Sequence, residues 1–294
     1  MHIPESMMHG RVCPVTATLS ATLLAATAYA ACKVKNKPAP ARFASVSAFI
    51  FAAQMLNFPV AHGTSGHFLG GVFAAALLGI PHGIIAVSLA VSAQALLFAD
   101  GGLSVLGANI LNMALVGAGI GGLLRHYFAK RGAGSAAATA AAAWLSVMLA
   151  ALFCSAELAL SGAARFAQTA ASMLFAHALT GAAEAAITVA AVKAFAGNRM
   201  VSKTSCAPVA AATAALLMLA PFASQLPDGL ESVARQYGFL KEAEPLFASP
   251  LANYTFPAMS NPQIAAAMAG AIGAAAVFAA SYMAARLIAG KQAA

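Results

Sequence analysis

Charged side chains are scarce in this chain. Asp, Glu, Lys and Arg make up 8% of its 294 residues, where a soluble domain carries about a quarter. That scarcity, with 61% hydrophobic residues and a mean hydropathy of +0.82, excludes an ordinary soluble globule. The acids number eight against 16 basic residues, but the surplus is no nucleic-acid patch. Twelve of the 16 fall in short clusters between apolar runs: Lys33/Lys35/Lys37/Arg42, Arg125/Lys130/Arg131, Lys193/Arg199/Lys203 and Arg286/Lys291. Such clusters mark cytoplasmic loops under the positive-inside rule. The four cysteines (Cys13, Cys32, Cys154, Cys206) form no CxxC pair, which leaves neither a zinc site nor a disulfide framework to read. No G-x-x-x-x-G-K-[ST] phosphate loop occurs, so the chain carries no ATPase of that kind.

What is present is a series of apolar runs. Nine fit a bilayer, near 13–31, 43–58, 67–79, 83–99, 103–127, 137–160, 165–195, 206–223 and 264–288. The fold class is therefore an all-α polytopic membrane protein of about nine transmembrane helices, in the cytoplasmic (inner) cell membrane. The basic clusters place the N-terminus outside and the C-terminus inside. The third run is short, and Pro81 suggests a tight cytoplasmic hairpin over Gly79-Ile80-Pro81-His82-Gly83. Runs of small residues, such as Gly117-Ala118-Gly119-Ile120-Gly121 and Ala136–Ala143, allow close approach of membrane helices. Ala28-Tyr29-Ala30 resembles a signal-peptidase site, but the lysines that follow hold that flank in the cytoplasm, opposite to a secretory signal. The character changes near residue 200. Residues 1–200 form one unit, and 201–294 a second with two spans flanking an outside loop near 224–262.

The first two residues, Met1-His2, can act as a compact chelator. The terminal amine, the second backbone nitrogen and the imidazole close two small rings around one ion, and planar nitrogen sets favour Ni(II) or Cu(II). A His after the start Met means little alone. A second stretch on the same side, Gly63-Thr64-Ser65-Gly66-His67, offers another imidazole. Pro59 should end one helix there and Thr64 or Ser65 cap the next, with His67 in its first turn. His9, His62, His82, His126 and His177 carry no such signal. Asp100, Asn109 and Asn112 are polar groups in or beside apolar spans, where they either orient the imidazoles or join helices. Glu157 and Glu184 read as packing charges, with His177 and Glu184 on one helix face and able to pair.

Met1-His2-Ile3-Pro4, Gln54-Met55-Leu56-Asn57-Phe58-Pro59, Gly63-Thr64-Ser65-Gly66-His67, Phe98-Ala99-Asp100-Gly101-Gly102 and Gly107-Ala108-Asn109-Ile110-Leu111-Asn112-Met113 together resemble the CbiM/NikM family. These are substrate-binding membrane subunits of cobalt and nickel energy-coupling-factor transporters. The remainder, with Pro227-Asp228-Gly229-Leu230 between two spans, is similar to the companion CbiN/NikN, here fused. The chain departs from the family at Glu5-Ser6, where Asp-Gly is commoner. The resemblance implies metal ligation by Met1, His2 and His67, with Asp100, Asn109, Asn112 and Ser65 as supports. It implies no resident cofactor and no enzyme activity, Ni(II) or Co(II) as the transported ion, and nickel favoured by the fusion. The partners implied are a transmembrane coupling (T) subunit and two cytoplasmic ATP-binding subunits, with no nucleic acid. A proton-coupled carrier or membrane enzyme using Asp100, Glu157, His177 and Glu184 is the rival reading.

Overall fold

Helices follow almost every apolar run, because in lipid a backbone must satisfy its own hydrogen bonds. A computed structural model describes residues 2–61, 63–196, 206–240, 247–256 and 259–290. Met1, His62 and the linker Gly197–Ser205 lie outside them. The first unit holds α1 (Val12–Lys33), α2 (Pro40–Met55), α3 (Gly71–Leu78) and α4 (Ile80–Phe98). It continues through α5 (Leu106–Ile110), a π-helical stretch (Leu111–Ile120) and α6 (Gly121–Lys130), which form one rod. Then come α7 (Ser135–Leu160) and α8 (Phe166–Ala196). The second unit adds α9 (Ala207–Leu219), α10 (Gly229–Tyr237), a short turn at Ala252–Tyr254 and α11 (Pro262–Ala289).

Among the described residues, six helices are long and apolar enough to cross a bilayer: α1, α4, the α5–α6 rod, α7, α8 and α11. This makes the chain a multi-pass membrane protein. The nine expected spans are not all full crossings. The second corresponds to a helix of 16 residues, the eighth to one of 13, and the third to the eight residues of α3. At 1.5 Å of rise per residue, about 20 are needed for the hydrocarbon core. The expected hairpin at Pro81 is shorter than its sequence suggested. Gly79 alone, at φ 82°, turns the chain from α3 to α4, and Pro81 sits inside the first turn of α4. Proline fits there because those N–H groups have no intrahelical acceptor.

Two apolar clusters hold the units together. The larger gathers Phe43, Phe49 and Phe51 of α2 and Phe73 of α3 with Ala86, Val91 and Phe98 of α4. Ala269, Ala274 and Val277 of α11 join it, so the second unit packs into the first. The other cluster brings Ile3, Met7 and Met8 of the N-terminal segment against Val105, Val147, Cys154 and Met173. Leu230, Val233 and Ala234 of α10 complete it. Burying three large apolar residues so near the N-terminus contributes about 1.5–3 kcal/mol each, enough to hold the segment that carries His2.

Candidate metal site

The N-terminal segment is pinned beside the bundle by one asparagine. Asn109 of α5 accepts a hydrogen bond from Ile3 N at 2.8 Å through Oδ1 and donates from Nδ2 to Ile3 O at 3.1 Å. This reciprocal pair mimics a strand contact and fixes the backbone one residue from His2. Gly101, at φ 81°, passes close beside it, where an added Cβ would lie 2.7 Å from Asn109 Nδ2. Glu5 Oε1 accepts from Ser104 N at 3.0 Å, which sets the path of the loop at the position that departs from the family pattern.

His2 is 9% exposed, and each of its ring nitrogens faces a side-chain oxygen. Nδ1 lies 3.2 Å from Asp100 Oδ1, and Nε2 lies 3.1 Å from Gln94 Oε1. The His67 ring stacks on His2 with centroids 5.2 Å apart and planes at 17°. Its Nδ1 is 3.2 Å from Phe68 O. Donation from Nδ1 to that carbonyl puts the lone pair on Nε2, the form in which imidazole binds metals. Burial lowers the pKa of both rings. For His2 the Asp100 carboxylate opposes that shift; for His67 the proximity of His2 adds to it. Burial thus favours the neutral imidazole in both rings, and neutral His2 carries one ring proton, so only one of its two oxygen neighbours can accept from it.

His67 does not begin a helix as its sequence suggested. A two-residue strand pair, β1 (Phe58–Pro59) with β2 (Ser65–Gly66), precedes it, and α3 starts four residues later. Thr64 and Ser65 therefore cap no helix. The segment is held instead by Glu184 of α8, whose two carboxylate oxygens accept from Leu69 N at 2.8 Å and Gly70 N at 2.9 Å. Gln54 Nε2 donates to Leu69 O at 2.9 Å. Glu184 thus supports the His67 segment rather than pairing with His177, whose Nδ1 contacts Met173 O at 2.8 Å. Burying Glu184 would be costly unless its oxygens were hydrogen-bonded, and these two N–H groups meet that need.

The second unit closes over the same residues. Ser65 N donates to Pro227 O at 2.8 Å, and Ser65 Oγ donates to Leu226 O at 2.7 Å. Asp228 caps α10 in a reciprocal arrangement with Glu231 and borders His67 and His177 in a small cavity. A larger cavity of about 530 Å³ is lined by His2, His67, Asp100, Asp228, Glu231 and Tyr254, among others. It lies between the two units and is rich in carboxylates, a setting that attracts cations.

The structure therefore brings together His2, His67, Asp100, Asn109 and Ser65, while Met1 lies outside the described residues. It separates Asn112, which donates to Glu157 Oε2 at 2.6 Å within the bundle. The described residues hold no group of three or more His, Cys, Asp or Glu side chains placed to grip an ion. Two imidazoles joined by main-chain nitrogens are a different kind of donor set. Nor do Asp100, Glu157, His177 and Glu184 form a relay among the described residues, since each has the separate partner given above. Sequence reading missed Gln94, Asp228, Tyr254 and the role of Glu184. Only Asp228 had a signal, through the Pro227-Asp228-Gly229-Leu230 motif.

These features define a multi-pass helical membrane protein with two stacked, buried imidazoles beside its N-terminal segment. The family model for the cobalt uptake substrate-specific transmembrane region, CbiM, matches residues 2–202, and a PDGLE domain model matches residues 203–290. The chain belongs to the CbiM family, with a PDGLE domain following. An Archaeoglobus fulgidus protein named as a fused nickel transport protein NikMN is 33% identical over 96% of this chain and 97% of its own length. The fused nickel transport protein NikMN of Rhodobacter capsulatus is 37% identical over 40% of this chain and 34% of its own. A crystal structure of a truncated transition metal transporter superposes with a TM-score of 0.61 at 30% identity, covering 67% of this chain and 99% of that one.

Proposed function

We propose that this chain is the substrate-specific membrane component of an ATP-driven energy-coupling-factor importer for a divalent transition metal, Ni(II) before Co(II). The observation that carries the reading is the His2–His67 stack at 5.2 Å, with Asn109 holding the backbone next to His2 and Glu184 the segment after His67. The Met1 amine, the His2 backbone nitrogen and His2 Nδ1 close the two chelate rings, and His67 Nε2 supplies the fourth nitrogen. Nδ1 is the ring atom that can close the second chelate ring, because Nε2 lies on the far edge of the imidazole. Nickel is preferred because two fused relatives are named for nickel transport. Cobalt remains the alternative through the description of the family model.

In this reading the N-terminus faces outside and captures the ion there. Residues 1–200 form the capturing unit, and residues 201–294 assist loading from above. ATP hydrolysis takes place on two cytoplasmic subunits, coupled through a transmembrane subunit that the small-residue helices dock. The test is metal content by mass spectrometry of detergent-purified protein with its native N-terminus, offered equal nickel and cobalt. About one nickel per chain is expected, lost when one residue is added before Met1 or when His67 is replaced by Ala. Equal metal in the extended form, or none in the native form, would overturn the proposal; cobalt in place of nickel would reverse the substrate alone.

A further inference from the structure

The nitrogen that the chelate needs, His2 Nδ1, is the one covered by Asp100. Asp100 in turn is held from the second unit: the Tyr254 hydroxyl donates to Asp100 Oδ2 at 2.7 Å. One carboxylate therefore bridges a residue of the C-terminal unit and the imidazole nearest the N-terminus. We propose that Tyr254 is a positioning residue for metal capture, holding Asp100 against His2 Nδ1 so that the ion can bind only as this contact opens.

The strap that delivers Tyr254 is built for that placement. Ser249 Oγ donates to Ala95 O at 3.4 Å, and Leu251 N donates to Leu97 O at 2.9 Å. The Tyr254 ring stacks on Phe98 with centroids 4.6 Å apart and planes at 18°. These contacts track the last turn of α4 until the hydroxyl meets Asp100. Asn253 and Tyr254 both adopt left-handed backbone, at φ 54° and 56°, which costs energy in residues other than glycine. The stack and the hydroxyl bond offset it. Asp100 itself follows Ala99, another left-handed residue at φ 56°, which turns its side chain off the helix end toward His2.

Tyr254 lines the same cavity as His2 and His67, and in it the Asp100 carboxylate covers Nδ1. A divalent ion would attract the Asp100 carboxylate and draw it off the ring, which couples the arrival of the ion to release of its ligand. The hydroxyl bond resists that movement. Loading is thereby tied to the placement of the C-terminal unit.

This inference rests on His2 being a metal ligand, and the experiment separates the two. Full-length protein with its native N-terminus, in detergent, is mixed rapidly with nickel(II), and the ligand-field absorbance of the complex is followed in time. Tyr254→Phe keeps the ring on Phe98 and removes only the hydroxyl, so the fold should persist, with melting lowered by no more than the loss of that one bond. Loss of a hydrogen bond to a charged group should speed capture about tenfold. Asp100→Ala should speed it at least as much, and the double variant should match Asp100→Ala alone, since Tyr254 acts through Asp100. Unchanged or slower capture by Tyr254→Phe, or effects that add in the double variant, would overturn the inference while leaving the metal site standing. No nickel signal from the native chain would overturn both.

Discussion

Replacing Glu184 tests most directly how the bundle holds the candidate site. Its two oxygens accept from consecutive main-chain N–H groups, Leu69 and Gly70, at 2.8 and 2.9 Å, and the side chain is 2% exposed. Leaving a buried N–H without its acceptor costs about 1–3 kcal/mol each. Burial of the carboxylate offsets part of their sum, so Glu184→Ala should cost roughly 3 kcal/mol of stability. Glu184→Gln keeps one acceptor and turns an NH₂ group toward the other N–H, so its cost should be about 2 kcal/mol. The same bonds fix the segment that follows His67, and loss of a group that orients a ligand lowers metal affinity about 10- to 100-fold. Thermal unfolding of metal-free protein in detergent reads the first quantity, and nickel titration against a competing chelator reads the second. The reasoning fails if both variants melt and bind nickel as the native chain does. It fails in a different way if stability drops while affinity holds, because the carboxylate would then be a helix tie with no bearing on His67.

Other outcomes follow from the same geometry. Asn109→Ala removes both bonds to Ile3 and should weaken nickel binding about tenfold or more at the same titration, with the bundle intact. Gly101→Ala forces a Cβ to 2.7 Å from Asn109 Nδ2 at φ 81°, and should cost at least about 1 kcal/mol of stability, read as a lower melting temperature, and weaken nickel binding with it. Asp228→Ala removes the cap of α10 and should cost about 1 kcal/mol, read as faster proteolysis within 224–240. The His2 and His67 rings titrate below the ordinary 6.5 in the metal-free fold. Below pH 6.5 the unfolded chain therefore binds more protons than the folded one at these two sites. Their contribution to stability is whole above 6.5 and declines as the pH falls toward the lowered values. Histidine NMR should show both rings titrating below 6.5; a ring half-protonated at or above 6.5 would contradict the burial argument.

Much of the membrane architecture could be read from one dimension. Apolar runs and the basic residues between them report the lipid and its faces directly, since each residue's transfer energy depends on its own side chain. Run length was a weaker guide to crossing, as α3 shows: its eight residues lie in a longer apolar stretch whose start is the irregular segment around His67. Apolar sequence is demanded equally by lipid and by protein interior, and Phe73 of α3 is buried in the latter. His2 and His67 stood out because chelation by an N-terminus depends on position in the chain, and a Gly-rich loop marks itself by composition.

The tertiary structure alone decided what surrounds those two histidines. Asn109 could be read only as polar within an apolar span; that it grips Ile3 depends on where α5 passes the N-terminal segment. Its near neighbour Asn112 has the same chemistry but reaches Glu157, because the helix turns it toward α7. Glu184 and His177 share a helix face in sequence, yet the carboxylate goes to Leu69 and Gly70, where two unpaired N–H groups offer more than one imidazole can. Tyr254 lies 154 residues from Asp100. The sequence by itself determined a multi-pass helical protein with an N-terminal imidazole and a second one in a loop, since hydrophobic transfer and chelate reach are local properties. Partners at such separations were decided by packing, because a hydrogen bond over a few ångströms depends on where whole helices come to rest.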